Sequence, residues 1–368
     1  MKNSLIFYAP NVHSGGGLVL LKSLIANWAN DQTLHAILDS RCRNELEIAL
    51  NNKILVKYWV KPSIFSRLKA EIILYLLTRN NQTLLCFHNL PPILSQSKNI
   101  FIFLQNRLLL IPISKIPLFS KLFVTNTIER VIIKLLAHKA SCFVVQTESM
   151  KNLLLTKLRR HSNQKILVFP FFEKLTSVKK NLDEKIFDFI YISNSEKHKN
   201  HLTLLDSWSL LAENGVKKTL VLTINAHEAK LEAKINDINS KHGNLIINFG
   251  NVSHADALEL YSKSNALIFP SKEESFGLPL LEATALNMPI LAPELDYVRD
   301  VCEPAQTFNP NSALSISRAV KRYLDIESQN LSILSPNEFW NSIIDINLQS
   351  DLKTQSNTVP PSNLGCPQ

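Results

Sequence analysis

Short, wholly apolar runs rich in β-branched and aromatic residues alternate with longer amphipathic stretches along most of the chain. "LIFYAP" is followed by "GLVLLKSLIANWAN", and "CFVVQT" by "ESMKNLLLTKL". After residue 175 the alternation restarts, with "FDFIYIS" followed by "HLTLLDSWSLLAEN" and "ALIFPS" by "PLLEATALN". Strands that are apolar throughout, separated by helices, are typical of parallel sheets covered on both faces. The pattern therefore predicts an α/β protein with two such sheets.

The length of 368 residues suits two domains that each bury a core. The polar, lysine-rich stretch at 171–185 predicts the linker between them. We expect a Rossmann-like domain over residues 1–172 and a second over 183–335. A helix over 336–350 could pack back on the first domain, and the polar residues 351–368 are expected to be disordered. Because ligands of open α/β sheets bind beyond the carboxyl ends of the strands, two facing domains predict a site in a cleft.

The chain is basic, with a net charge of +9, and its first half mixes basic with apolar residues at 66–79 and 107–139. Such segments can lie on an anionic membrane surface. The alternative is helices that pack on a core and expose a solvated basic face. Nucleic acid is disfavoured as a partner, because the aromatic residues do not interleave with the basic runs.

The five cysteines are far apart and form neither a C-x-x-C pair nor a metal-binding spacing, which favours free thiols in a reducing compartment. They are Cys42, Cys86, Cys142, Cys302 and Cys366. The apolar run near the N-terminus is too short for a signal peptide. Uncharged apolar runs also fall short of the roughly eighteen residues that a spanning helix needs. We expect a cytoplasmic protein, peripheral on the inner face of the membrane.

Three of the eight glycines are consecutive: Gly15, Gly16 and Gly17 lie between the first strand and a helix expected to begin near Leu18. Glycines there allow close backbone approach, and the open N–H groups of a helix start bind anions such as a diphosphate. A tight strand-to-helix turn is the alternative. The spacing is neither GxGxxG nor GxxxxGK, which disfavours nicotinamide and P-loop interpretations.

In the second half, "FDFIYISNSEKHKNH" places Lys199 just beyond a strand, where a lysine can reach a phosphate as a point charge. It could instead be a solvated loop charge. Further on, "FPSKEESFGLPLLEAT" places Glu274 after an apolar strand and Glu282 eight positions later, around Gly277 and Pro279. Carboxylates accept from pairs of hydroxyl groups, so the stretch predicts sugar and ribose binding with phosphate between them. Alternatively, both acids only cap or solvate the helix start.

This stretch resembles the E(x7)E signature of the retaining GT-B glycosyltransferases of family 4, the glycosyl transferases group 1. The glycine loop, "YISNSEKHKNH", "INFGNVSHADALELYSKSNALIFPS" and "APELDYVRDVCEPAQTFNP" agree with that family in order. The resemblance covers nearly all of the second domain and the first more loosely. It implies the GT-B fold, with two Rossmann-like domains facing across a cleft, and transfer of a hexose from a nucleotide-diphosphate sugar with retention.

The resemblance also implies a role for individual residues. Glu274 would contact the donor sugar, Glu282 the ribose, and Lys199 the diphosphate, with Glu274, His88 and Lys199 as the catalytic set. Backbone groups of the turn would hold the sugar and the diphosphate; these belong to Ser275, Phe276, Gly277 and Leu278. The segment from Gly250 to Val252 would line the base. Asn194 stands where relatives usually carry an arginine, so charge neutralisation would rest on Lys199, helped by Lys197 or His198.

Two first-domain strand ends carry the remaining candidates. His88 follows "LLCF", where similar enzymes often carry an active-site histidine, although a lone histidine at a strand end is more often structural. Asn106 and Arg107, in "FLQNR", are candidates for contact with the acceptor.

The sequence contains no D-x-D motif, and lysine and helix N–H groups can meet a diphosphate, so we expect neither a required metal nor a cofactor. The acceptor would be a glycan or a lipid-linked glycan of lipopolysaccharide, O-antigen or capsule synthesis. Two alternatives stay open. One is a GT-B sugar-nucleotide epimerase or phosphorylase, and the other is a catalytically silent scaffold that binds nucleotide sugars, which Asn194 favours.

Overall fold

The computed structural model describes residues 5–28, 33–49, 55–80, 82–112, 121–158, 165–172, 185–225 and 228–326. Two sheets lie within one compact unit that ends at Leu324. Residues 173–184 of the linker proposed at 171–185, the helix over 336–350 and the tail over 351–368 lie outside the described residues. Their structure therefore stays a prediction.

The first sheet has seven strands in the order β3-β2-β1-β4-β5-β6-β7, and every pair is parallel. The strands are β1 (Leu5–Ala9), β2 (Leu34–Asp39), β3 (Leu55–Val60), β4 (Thr83–Cys86), β5 (Ile100–Phe103), β6 (Cys142–Val145) and β7 (Lys165–Val168). The helices between them are α1 (Gly15–Ala26), α2 (Arg43–Ala49), α3 (Ile64–Leu77), α4 (Lys121–Leu136) and α5 (Glu148–Lys157).

The second sheet has six parallel strands in the order β10-β9-β8-β11-β12-β13. These are β8 (Phe187–Tyr191), β9 (Leu220–Leu222), β10 (Ile246–Asn248), β11 (Ser264–Ile268), β12 (Ile290–Pro293) and β13 (Gln306–Phe308). The helices are α6 (His201–Glu213), α7 (Ala229–His242), α8 (His254–Ser262), α9 (Leu278–Ala285), α10 (Asp296–Arg299) and α11 (Ala313–Tyr323). The predicted pair of parallel α/β sheets is confirmed.

The apolar strands make the cores. Both faces of the first sheet are covered by buried clusters, with Tyr8 and Leu74 on one side and Phe7 and Leu21 on the other. A single large cluster fills the second domain around Trp208. Because side chains of successive strand residues point to opposite faces, both neighbours must be apolar when both faces are covered, which explains the unbroken apolar runs.

Candidate active site

The predicted site residues lie at corresponding positions in the two sheets. In the first, β1 and β4 are neighbours from which the strand order runs in opposite directions; the glycine loop follows β1 and His88 follows β4. In the second, β8 and β11 have the same relation; Lys199 follows β8 and Glu274 follows β11. Such switch points open a crevice at the carboxyl edge of a parallel sheet. The sequence motifs thus converge on two switch points.

Lys199 ends a 3-10 turn whose position is fixed by Asn200. Asn200 is buried and left-handed, with φ of 64°, a conformation that asparagine tolerates better than most residues. Its side-chain amide donates to the carbonyl oxygens of Pro270 at 3.1 Å and Pro310 at 2.7 Å. The Tyr191 hydroxyl donates to the Lys199 carbonyl oxygen at 2.9 Å. The lysine backbone is therefore attached to three separate parts of the second domain.

The Lys199 side chain meets Glu274. Its ammonium Nζ donates to Glu274 Oε1 at 2.7 Å, and the Ser271 hydroxyl donates to the same oxygen at 2.7 Å. Tyr297 holds Ser271 in turn, donating to its carbonyl oxygen at 2.7 Å. Both members of the ion pair are mostly buried, so the pair is less screened than a surface pair. The two motifs that the sequence separates by 75 residues form one charged site.

The neighbouring turn residue, His198, does not add a positive charge at neutral pH. Burial is the main cause that lowers the pKa of His198 below its ordinary value, and the positive charge of the nearby Lys199 is the second. Its carbonyl oxygen accepts from the Lys272 backbone N–H at 2.8 Å and so ties the turn to the loop before Glu274. Lys197, in the same turn, is exposed.

Arg107 crosses from the first domain to the turn after β11. Its Nε donates to Glu273 Oε2 at 2.8 Å, and its Nη1 donates to the Glu274 carbonyl oxygen at 3.3 Å. The backbone N–H of Ser149 also donates to Asp300 at 3.1 Å. The predicted acceptor residue is therefore engaged with the second domain. Its role in acceptor binding stays a prediction.

Asn106, the other candidate for acceptor contact, has a local structural partner. Its Oδ1 accepts from the Leu108 backbone N–H at 3.0 Å and caps the short turn that carries Arg107. The backbone N–H groups of Gln105 and Asn106 both donate to Asn89 Oδ1, at 2.7 and 3.0 Å.

The glycine loop forms the first turn of α1, which begins at Gly15 and not near Leu18 as expected. Ser14 is extended, and Gly15 has φ of +63°, so the chain enters the helix through a conformation that favours glycine. A β-carbon on Gly16 would stand 3.0 Å from Leu278 Cδ1. The correction places the glycines, with the open N–H groups of a helix start, against the turn of the second domain.

Gly277 precedes α9 with φ of +70°, and Pro279 occupies the first helical turn, as predicted. One turn further along, Glu282 is only 5% exposed, and its Oε1 lies 3.0 Å from His254 Nε2. Tyr261 is buried beside Glu282. Burial, together with the negative charge of this neighbouring carboxylate, raises the pKa of Tyr261 well above its ordinary value. Glu282 is thus an oriented carboxylate with little solvent access.

His88 lies at the other side of the first switch point. Its Nδ1 lies 3.3 Å from the Tyr8 carbonyl oxygen. A carbonyl only accepts, so this bond requires the proton on Nδ1 and leaves Nε2 as an acceptor. Burial lowers the pKa of His88 to about 4. The imidazole is neutral at neutral pH and suited to accept a hydrogen bond.

The remaining residues predicted to contact the donor are Asn194 and several backbone positions, all in the second domain. Asn194 is exposed, and its Oδ1 accepts from the Glu196 backbone N–H at 3.4 Å. Gly250 has φ of +72°, and Val252 packs against the domain core. The Ser275 carbonyl oxygen accepts from Thr147 at 3.4 Å, and Phe276 is buried. Within the described ranges, His, Cys, Asp and Glu side chains form no group of three that could hold a metal ion.

Comparison with known proteins bears on this geometry. Residues 173–335 match the family described as glycosyl transferases group 1. The matched residues include Lys199, Glu274 and Glu282, the charged residues of the second switch point.

The curated relatives that match part of this chain are named as mannosyltransferases. The serotype-specific mannosyltransferase WbdA of Escherichia coli is 35% identical over 91 residues, which are 24% of this chain and 11% of WbdA. The O-antigen chain mannosyltransferase RfbU of Salmonella typhimurium is 35% identical over 71 residues, 19% of this chain and 20% of RfbU. The matched segments thus span a fifth or less of both relatives.

Among solved structures, Anabaena Alr3699/HepE in complex with UDP-glucose superimposes with a TM-score of 0.65 at 15% identity. The match covers 88% of this chain and 90% of that one. Such structural neighbours, together with the two parallel sheets, show the GT-B fold. Among the described residues, the helices are too short or too polar to cross a membrane.

Two residues that the sequence analysis did not single out contact the candidate site residues. Glu273 binds Arg107, and His254 contacts Glu282. The signal for His254 was visible, because Ser253 and Asp256 form a capping box that predicts a helix starting at His254. The Arg107 contact spans 166 residues and has no local sequence signal.

Proposed function

We propose that the chain is a retaining glycosyltransferase of family 4 that moves a hexose from a nucleotide-diphosphate sugar to a glycan or lipid-linked acceptor. The observation that carries this proposal is the Lys199–Glu274 ion pair, with a nitrogen–oxygen distance of 2.7 Å. It lies at the second switch point, beside a turn that approaches the glycine loop of the first domain. A cation and a carboxylate in one crevice suit a ligand that joins phosphate to sugar hydroxyls.

In this proposal, the diphosphate, sugar, ribose and base of the nucleotide sugar each have a binding partner in the protein. Lys199 neutralises the diphosphate, and the open N–H groups at the starts of α1 and α9 support it. Glu274 accepts from sugar hydroxyls, while Glu282 accepts from the ribose. A carboxylate offers about four lone-pair sites, so Glu282 retains capacity for ribose hydroxyls beside its contact with His254. Backbone groups of residues 275–278 and 250–252 complete the sugar and base contacts.

We propose transfer on the front face of the sugar. The bond from the anomeric carbon to the phosphate oxygen breaks as the bond to the acceptor hydroxyl forms on the same face. The hydroxyl proton passes to the departing phosphate oxygen, so protein groups position and stabilise charge. His88, with Nε2 unprotonated, would accept a hydrogen bond from a sugar hydroxyl. Arg107 and Asn106 would contact the acceptor, and neither a metal nor a cofactor is part of this scheme.

The acceptor belongs, in our proposal, to lipopolysaccharide, O-antigen or capsule synthesis on the inner face of the cytoplasmic membrane. The names of the O-antigen relatives support this and make mannose the first sugar to test. An alternative function is a silent scaffold that binds nucleotide sugars without turnover. Asn194 favours it, because this exposed amide adds no positive charge near Lys199.

The test is thermal unfolding of the full chain against UDP, GDP, ADP and CMP. At a hundredfold excess over the dissociation constant, one bound nucleotide stabilises by about 2.7 kcal/mol. We expect one nucleotide to raise the midpoint of wild type but not of Lys199→Ala or Glu282→Ala. Lys217→Ala is the matched control, because this exposed lysine lies in the same domain just before β9 and has no proposed part in the site. Equal shifts in Lys199→Ala and wild type would refute the proposed role of Lys199.

Turnover separates the enzyme from the scaffold. Wild type is incubated with the sugar conjugates of the stabilising nucleotide and an O-antigen-type lipid-linked acceptor, and release of free nucleotide is followed. Release that depends on the acceptor supports the glycosyltransferase. Nucleotide binding without release from any conjugate would favour the scaffold.

A further inference from the structure

The outward face of α3 is apolar and exposed. Phe65 is 85% exposed and Ile64 77%, and large apolar side chains continue along the helix at Leu68, Ile72 and Leu76. From Phe65 the spacings are three, four and four residues, which places these side chains on one helical face. The opposite face carries Ala70 and Leu74 into the core. Helix α3 therefore has two apolar faces, of which the protein buries one.

Helix α4 repeats this arrangement. Val124, Ile128, Val131 and Leu135 are each more than half exposed, with spacings of four, three and four residues. Ile133, on another face, is buried in the same core cluster as Leu74 of α3. The two helices therefore lie on the same side of the first sheet, each with an outward apolar stripe.

A short loop joins the two stripes. Glu71 of α3 accepts from the backbone N–H groups of Ile93 and Leu94, at 3.0 and 2.8 Å. Lys139, just after α4, donates to the Ile93 carbonyl oxygen at 2.7 Å. Both loop side chains are exposed. The stripes and this loop form one surface, hereafter the α3–α4 face, made of residues 64–76, 93–94 and 124–135.

The charges around the α3–α4 face have one sign. Among the described side chains of α3 and α4, the exposed Asp, Glu, Lys and Arg residues are Arg67, Lys69 and Lys134, which are all basic. The acidic residues of these helices are less accessible: Glu71 is buried and hydrogen-bonded, and Glu129 is partly buried. An apolar surface with a basic rim complements anionic lipid head groups above an acyl layer.

The α3–α4 face begins next to the candidate active site. Arg67 donates to Asn11 Oδ1 at 2.8 Å. Asn11 lies in the segment between β1 and the glycine loop at residues 15–17. The first turn of α3, which carries Phe65 and Leu68 on its other side, is therefore attached to the segment that leads into the glycine loop.

We propose that the α3–α4 face docks on an anionic bilayer and holds the glycine loop close to the lipid head groups. A lipid-linked acceptor could then place its glycan in the cleft while its acyl chains stay in the membrane. A second copy of this chain fits the face less well, because a two-fold interface sets the same patch against itself and opposes like charges. Membrane docking stands independently of the proposed transferase activity, and only delivery of the acceptor rests on it.

The first experiment is co-sedimentation of the full chain with vesicles of phosphatidylcholine, with and without phosphatidylglycerol. Wild type is expected to bind the anionic vesicles more strongly, and added salt should weaken the binding. Phe65→Ser/Leu68→Ser should lower partitioning by at least about tenfold, because each side chain loses its apolar burial. Ile128→Ser/Val131→Ser should do the same from α4. Lys69→Gln should cost about fivefold on anionic vesicles only.

Ile186→Ser/Leu314→Ser is the matched control, since both side chains are at least half exposed in the second domain. It should bind like wild type. Because the altered side chains lie outside the core, all variants should keep the wild-type unfolding midpoint and nucleotide response. Unchanged partitioning of both α3 and α4 variants, or equal loss in the control, would overturn the proposal. So would a wild-type dimer that becomes monomeric in Phe65→Ser/Leu68→Ser, because the face would then serve self-association.

Discussion

The two switch points have the same topology and different chemistry. At β8 and β11 the site consists of charged side chains, Lys199 and Glu274, held by several buried hydrogen bonds. At β1 and β4 it consists of glycine backbone and a neutral imidazole. Topology therefore fixes where a ligand binds, while the residues after each strand decide which ligand suits it. In the function proposed above, the charged half would bind the phosphate-bearing donor, and the half made of glycine backbone and imidazole would face the acceptor.

The largest stability effect should come from pH, because each domain contains a histidine whose pKa is lowered to about 4. Burial lowers the pKa of His88 to about 4. The pKa of His201 is also lowered to about 4, mainly by burial and secondly by the positive charge of Lys199. The unfolded chain takes up these protons as pH falls below about 6.5, and the folded chain does not. Stability is therefore present above about pH 6.5 and is lost toward pH 4, by up to about 3 kcal/mol for each histidine.

Urea unfolding of wild type, His88→Gln and His201→Gln between pH 4 and 7 measures this effect. Each substitution should remove part of the pH dependence, and the two parts would show whether the halves are equally closed to protons. An unchanged pH profile in both variants would assign the acid sensitivity to other groups.

A smaller effect separates the glycines of the two halves. Gly277→Ala forces a left-handed residue and brings its β-carbon to 3.0 Å from Leu280, so we expect a loss of about 1–2 kcal/mol. Gly250→Ala is the control. Its φ of +72° imposes the same backbone strain, but the added carbon has open space around it, so the loss of stability should be smaller than in Gly277→Ala. Gly16→Ala should instead lower activity with little loss of stability, because its new contact is with Leu278 across the domains. Urea unfolding and initial rates distinguish them, and a stability loss in Gly16→Ala equal to that in Gly277→Ala would contradict this assignment.

The smallest effect concerns the ion pair that joins the halves. A double-mutant cycle on Arg107→Ala and Glu273→Ala should give a stabilising coupling of up to about 1 kcal/mol, because the pair is partly shielded from solvent. The exposed pair Arg43–Glu47 within α2 is the comparison, for which about 0.3–0.5 kcal/mol is typical. Urea unfolding supplies both values. Coupling no larger than that of the surface pair would mean that the Arg107–Glu273 ion pair does not help to hold the domains together.

Much of the fold was predictable because buried parallel strands must be apolar on both faces. The strands missed by the sequence analysis are the ones where this rule weakens. Strand β3 lies at a sheet edge with exposed Val56 and Lys57, and β13 is an edge strand of three residues. Strand β2, "LHAILD", lies inside the sheet and was missed for another reason, because a histidine and an aspartate interrupt its apolar run. Edge positions relax the need for a continuous apolar run.

For the site, sequence reasoning identified the strand ends but not the contacts between them. The positions of Lys199 and Glu274 at the ends of strands were predictable because each motif follows an apolar run. The partners Glu273 and His254 were not, since a contact such as Arg107–Glu273 depends on how two domains meet. The exposure of the α3–α4 face was open for a similar reason. An apolar stripe in the sequence does not reveal whether it meets a core or solvent.

The single amide of Asn200 gives the second domain an order of assembly. Its two acceptors, the carbonyl oxygens of Pro270 and Pro310, follow β11 and β13 in the chain, 70 and 110 residues after Asn200. During synthesis, Lys199 therefore emerges well before the backbone that fixes its turn. A chain truncated before Pro310 lacks one of these two anchors, so the cationic turn reaches its final geometry only when the sheet is complete to its last strand. The turn that carries Lys199 is therefore fixed late, after the rest of the second domain has folded.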